Sequence, residues 1–129
     1  MRVLVDTQVL LWALAEADRI PRRARDSLES PDNLVLFSAA SIWEIAIKVQ
    51  IGRLSLPINP ADLAAACGAM GFEELPVTAA HAAGVANLPR HHRDPFDRLL
   101  ISQAILEPAR LLTADRQLVR YSDLVDLLT

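Results

Sequence analysis

The chain has 129 residues, 52% hydrophobic and 22% charged, a balance that belongs to a folded globular domain and excludes a disordered one. Its net charge of −3 argues against a general nucleic-acid binder with a broadly basic surface, while leaving room for a local basic rim around an acidic centre. Cys67 is the only cysteine, so an internal disulfide and a thiolate zinc site are both excluded, and a reducing cytoplasm is the expected setting.

Arg2 and the apolar stretch after it have the outline of a short signal peptide. Asp6 and Gln8 interrupt that stretch, however, and residues 2–5 (RVLV) read as a strand buried on both faces. No run reaches the roughly 20 apolar residues of a membrane span. Asp6 ends the strand and can cap a helix dense in Val9, Leu10, Trp12, Ala13 and Leu14. A second helix over about 21–30 carries Arg22, Arg23 and Arg25, which read either as phosphate contacts or as a solvated face balanced by Asp26 and Glu29.

Residues 34–37 (LVLF) form a second buried strand after the turn signal Pro31-Asp32-Asn33. Ser38 and Ser41 offer caps for a third helix that runs to about Ile51 and stops at Gly52. Ser41 and Glu44 have capping-box spacing, and Glu44 can pair with Lys48 one turn on. Residues 53–60 connect to a fourth helix, apolar at Leu63, Ala66, Cys67 and Met70 and ending at Gly71. Between Phe72 and Val77, Pro76 limits any strand to a brief or edge position. Thr78 caps a small Ala-rich helix that stops before Pro89.

Asp94-Pro95 marks the next helix start: Asp94 at the N-cap, Pro95 at the first helical position, and Asp97 at the third. Apolar residues at Leu99, Leu100, Ile101, Ala104 and Ile105 predict that most of this helix is buried. Residues 110–113 (RLLT) are a further strand, Asp115 caps a short helix near 116–121, and 124–127 form a last edge strand. Strands alternating with helices, without repeats or low-complexity linkers, predict one α/β domain over 1–129. Its architecture is a three-layer sandwich around a central parallel sheet of four to five strands.

Asp6, Glu44, Asp97 and Asp115 each follow a strand or open a helix. Each has an innocent reading as a capping or first-turn acid, and Asp62 shows how common that is. Along the strand-end edge of a parallel sheet, however, they can converge on one cleft. Converging carboxylates repel, and a hard divalent cation relieves that repulsion; an all-oxygen donor set suits Mg2+ or Mn2+ rather than zinc. Such an ion polarises a phosphoryl oxygen and acidifies water, the chemistry of phosphodiester hydrolysis.

Taken together, VDT after the first strand, SxxEIAIK at 41–48, DPFDRLLISQA and LLTAD resemble a PIN-domain ribonuclease of the VapC type. The resemblance spans the chain and implies a PIN-like fold and a divalent-metal-dependent endoribonuclease acting on single-stranded or loop RNA. It also implies a homodimeric toxin silenced by a cognate antitoxin that occupies the active-site groove. By position, Asp6, Glu44 and Asp115 match the family's acids; Asp97 is taken as the remaining one, with Asp94 as the alternative. Thr113 matches a hydroxyl position that holds a metal-bound water or, as a β-branched residue, simply suits a strand.

Arg90, Arg93 and Arg98 either hold RNA phosphates at the cleft rim or pair with neighbouring acids. His91 and His92 read as a solvated loop pair that only His81 could join in a ligand set. Trp12 and Trp43 read as core or subunit-contact residues rather than base-stacking ones. A receiver-type signalling module is disfavoured because Thr7, Gln8 and Val9 follow Asp6 and no lysine lies near Leu111 to Asp115. A haloacid-dehalogenase-like phosphatase would need a second Asp where Gln8 stands. A non-catalytic binding role, with the acids acting as caps, is the remaining alternative.

Overall fold

The computed structural model describes residues 1–91 and 93–128. Strands β1 (Arg2–Val5), β2 (Leu34–Ser38), β3 (Glu73–Leu75), β4 (Arg110–Thr113) and β5 (Val125–Leu127) form one sheet in the order β3-β2-β1-β4-β5. Every pairing is parallel, with Val5 opposite Phe37 on one side and Leu112 on the other. The strand at 73–75 is short and lies at an edge, as Pro76 implies. From β1 the chain first builds outward through β2 and β3, then returns to the other side of β1 for β4 and β5. The strand order therefore reverses between β1 and β4, where a crevice opens at the carboxyl ends of parallel strands.

The strands are apolar on successive residues because both faces are covered. Val3, Val5, Val35, Phe37 and Leu112 face a core completed by Val9 and Leu10 of α1 (Thr7–Ala15), Ala24 of α2 (Arg22–Glu29), Ile45 of α3 (Ala39–Gln50), and Leu63 and Cys67 of α4 (Leu63–Ala69). Leu4, Leu36 and Leu111 face the opposite core, with Leu100, Ile101 and Ala104 of α6 (Pro95–Leu106) and Leu118 of the 3-10 turn Arg116–Tyr121. Period-two alternation thus sorts neighbours such as Leu4 and Val5 into different layers. The small helix α5 (Ala79–Gly84) flanks α6.

Helix ends follow local chemistry. Gly52 and Gly71, at φ +76° and +88°, take the left-handed turns just after α3 and α4. Of the two caps that the sequence offers for α3, Ser38 and Ser41, the first is used. Ser38 supplies the cap by accepting from the Ala40 N–H at 3.0 Å, because β2 runs directly into the helix. Ser41 and Glu44 therefore lie inside α3, and their capping-box spacing is coincidental. Helix α6 is less enclosed than its apolar pattern predicts: Ile105 and Leu106 are exposed, and Leu99 is half-buried. Among the described residues no helix is long and apolar enough to cross a membrane.

Candidate metal-dependent active site

At the β1/β4 crevice a cleft of about 280 Å³ is lined by Asp6, Thr7, Gln8, Leu11, Glu44, Lys48, Asp94, Asp97, Ala114 and Asp115. The acids singled out in the sequence, together with the alternative Asp94, thus reach one cavity from four separate segments. A larger cavity, about 560 Å³ and mostly apolar, opens among α1, α2 and the Met70–Phe72 turn; it contains none of these acids.

Asp6 is 5% exposed. One carboxylate oxygen, Oδ1, accepts from the Val9 N–H at 2.8 Å and so caps α1; the other, Oδ2, accepts from the Thr113 hydroxyl at 2.6 Å. Burial pushes its carboxyl up to about 6 from an ordinary 3.8, opposed by those two hydrogen bonds and reinforced by the charges of Glu44 and Asp115. The Thr113 hydroxyl also accepts from the Asp115 N–H at 3.0 Å. Thr113 therefore ties two acids together through its own oxygen. Its single proton is thus committed to Asp6.

Glu44 is 4% exposed in the middle of α3. Its Oε2 accepts from Lys48 Nζ at 2.7 Å, whereas Oε1 is buried with no hydrogen-bond partner. Asp94 caps α6, with Oδ1 accepting from the Phe96 N–H at 2.9 Å and the Asp97 N–H at 3.3 Å. Asp97 follows inside the first turn of the helix, past the cap. Asp115 Oδ1 accepts from the Gln117 N–H at 2.9 Å, opening the 3-10 turn. Thr7 Oγ1 donates to Ser41 Oγ at 2.9 Å, bracing α1 against α3 beneath the cleft. No local signal reveals that pair, because its members lie 34 residues apart. The i,i+4 spacing did register Lys48 as a partner of Glu44, which it is, but not as a residue lining the cleft.

Other sequence candidates fall elsewhere. Arg98 donates to the Pro89 and Val85 carbonyls at 2.8 and 3.3 Å and to the Tyr121 hydroxyl at 3.2 Å. It therefore clamps the 85–94 connection, and neither the rim-phosphate nor the acid-pair reading describes it. Arg93 is exposed and outside the cleft lining. His81 is buried; its Nδ1 accepts from the Thr78 N–H at 3.0 Å and its Nε2 lies 2.6 Å from Glu107, so it ties α5 to α6 and joins no ligand set. That contact holds Glu107 below the usual carboxylate range. His91 is exposed beside Tyr121; His92 lies outside the described residues. Trp43 is not core: it is 61% exposed, with its ring 5.1 Å from Phe96.

An all-carboxylate donor set with a buried, unpartnered oxygen on Glu44 fits a hard divalent cation. Among the described residues, no three carboxylate, imidazole or thiol groups are close enough to grip one ion together. The described acids therefore line one cleft without closing into a ready-made coordination cage.

Comparison with known proteins agrees with this geometry. The PIN domain family model matches residues 3–124. Ribonuclease VapC22 of Mycobacterium tuberculosis (strain ATCC 25618 / H37Rv) is 32% identical over 117 residues, covering 90% of this chain and 88% of that protein. The crystal structure of VapBC2 from Rickettsia felis bound to a DNA fragment from their promoter matches with a TM-score of 0.74, covering 100% of both chains. At 18% identity this last likeness is one of fold.

Proposed function

This chain belongs to the PIN-domain family and is of the VapC type, and from that premise we propose that it is an endoribonuclease, the toxin of a toxin–antitoxin pair, acting with Mg2+ or Mn2+. In this reading Asp6, Glu44, Asp97 and Asp115 hold the cation, and Asp94 and Thr113 support them. Glu44 carries most weight. Asp6, Asp94 and Asp115 each cap a backbone N–H, so a purely structural role would account for them. Glu44 caps nothing: it is a mid-helix acid buried in the cleft, and Lys48 partners one of its oxygens while the other has no hydrogen bond. Lys48 offsets part of the cost of burying that carboxylate, and a cation at the second oxygen would offset the rest.

When bound, the cation polarises the scissile phosphoryl group and acidifies a water for attack. The protein's part is to hold the ligands in place. Thr113 fixes Asp6 Oδ2, the α1 N-terminus fixes Oδ1, and the carboxyl must lose its proton to bind metal. Asp97, at the α6 N-terminus, and Asp115, after β4, face the same cavity, where helix dipoles ease the gathering of negative charge.

As partners we propose an antitoxin that occupies the groove and a second copy of the chain, with the cytoplasm as the setting. Exposed Trp43 beside Phe96 supplies apolar surface of the kind a protein interface covers. The test is cleavage of a panel of single-stranded and hairpin RNAs by purified protein in Mg2+, Mn2+ or EDTA. We expect cleavage in both metals, abolished by EDTA and by Asp6→Asn or Glu44→Gln. Cleavage indifferent to EDTA would overturn the metal reading, and a protein inert in every condition would overturn the nuclease.

A further inference from the structure

We propose that Lys48 is a substrate-positioning residue that contacts a phosphodiester oxygen of the RNA, an inference that rests on the nuclease reading. A polyanion entering this cleft meets a lining that includes the carboxylates of Asp6, Glu44 and Asp94. A protein cation beside them offsets their repulsion of an incoming phosphate. Among the described residues lining the cleft, Lys48 is the basic one. Of the three arginines that the sequence suggested for this role, Arg98 is engaged with the Pro89 and Val85 carbonyls, and Arg90 and Arg93 are exposed residues that do not line the cleft.

The local geometry suits the role. Lys48 stands one helical turn beyond Glu44, and its ammonium is anchored on Glu44 Oε2 at 2.7 Å. An ammonium carries three N–H donors, so that contact leaves donors for a second acceptor. The Lys48 side chain is 45% exposed while that of its partner is 6% exposed, so the lysine is the member of the pair open to an incoming ligand. As a merely structural partner of the buried Glu44, Lys48 would affect folding stability and not the salt dependence of RNA binding. As a phosphate contact it adds one released counter-ion on RNA binding, which gives the two roles different salt signatures.

The experiment uses the Asp6→Asn protein, expected to bind RNA without cutting it, with and without Lys48→Met and Lys48→Arg. Fluorescence anisotropy with a labelled single-stranded RNA of mixed sequence, in Mg2+, is followed over about a tenfold range of KCl. Lys48→Met is expected to weaken binding about three- to tenfold and to reduce the slope of log affinity against log salt by about 0.7, with Lys48→Arg retaining both. Circular dichroism checks that each variant is folded. Unchanged affinity, or weaker binding with an unchanged salt slope, overturns the assignment. In parallel, the protein with Asp6 intact is assayed for RNA cleavage. Cleavage alongside a silent Lys48→Met discards the lysine role alone; absence of both cleavage and binding discards it together with the nuclease reading.

Discussion

The hydroxyl of Thr113 donates to Oδ2 of Asp6 across 2.6 Å, joining the ends of two adjacent parallel strands whose residues lie 107 positions apart. Because the same oxygen accepts from the Asp115 N–H, one small side chain sets the position of two cleft acids. Thr113→Val keeps the shape and removes the proton. Asp6 then loses a hydrogen bond that lowers its pKa, so the pH midpoint of Mn2+ binding should move upward. Stability should fall by about 1–2 kcal/mol. Thr113→Ser should restore both, and Mn2+ titrations at several pH values check the shift.

The raised pKa of Asp6 has a second consequence. Folding strengthens proton binding at this carboxyl, from an ordinary 3.8 to about 6. Its contribution to stability is therefore fully present below pH 4 and is lost as pH rises through 6. Asp6→Asn removes that loss while Asn can still cap α1. Relative to the variant, wild type should lose on the order of 2–3 kcal/mol between pH 4 and 7 without metal. Urea melts of the two proteins across that range measure the difference; a pH-independent difference would mean that Asp6 is an ordinary capping acid.

Glu44→Gln replaces a carboxylate that has one buried, unpartnered oxygen with a neutral amide. Metal-free stability should change by less than about 1 kcal/mol, because the lost Lys48 ion pair is offset by relief of a buried charge. The rise in melting temperature produced by metal should largely vanish. In wild type that rise follows mass action, reaching about 2.7 kcal/mol when metal is a hundredfold above its dissociation constant. Thermal melts with and without millimolar Mn2+ distinguish the two.

Arg98→Met removes a guanidinium that holds the Val85 and Pro89 carbonyls and the Tyr121 hydroxyl. A loss of about 1–3 kcal/mol is expected, with the 85–94 connection opening first in hydrogen exchange. RNA affinity should keep its salt slope, because this arginine faces the chain and not the substrate.

The strands and the cleft were readable for a shared reason. Short apolar runs such as RVLV and LVLF admit few structures other than central parallel strands, and an acid placed just after such a run inherits a fixed edge of the sheet. Local chemistry likewise announced the caps at Asp6, Asp94 and Asp115, each within three residues of the N–H it accepts from. Contacts between distant segments were not readable. Nothing near Thr113 specifies Asp6, and nothing near Thr7 specifies Ser41. Ser41 misled because its spacing to Glu44 fits a helix start that β2 pre-empts. Arg98 misled because charge alone does not reveal whether a guanidinium meets phosphates or carbonyls. Trp43 read as either a core or a subunit-contact residue, and its exposure removes the first of these, because apolar spacing alone does not say which side of a helix the core covers.

Whether carboxylates from separate segments share a divalent cation at the β1/β4 crevice is decided by Mn2+ binding itself. Electron paramagnetic resonance follows that binding on wild type and on Asp6→Asn, Glu44→Gln and Asp115→Asn. Wild type should bind saturably at millimolar Mn2+ or below, and every variant should bind at least about tenfold more weakly, a loss of about 1.4 kcal/mol for each. Wild-type protein that shows no saturable binding, or variants that bind as wild type does, would contradict a shared cation.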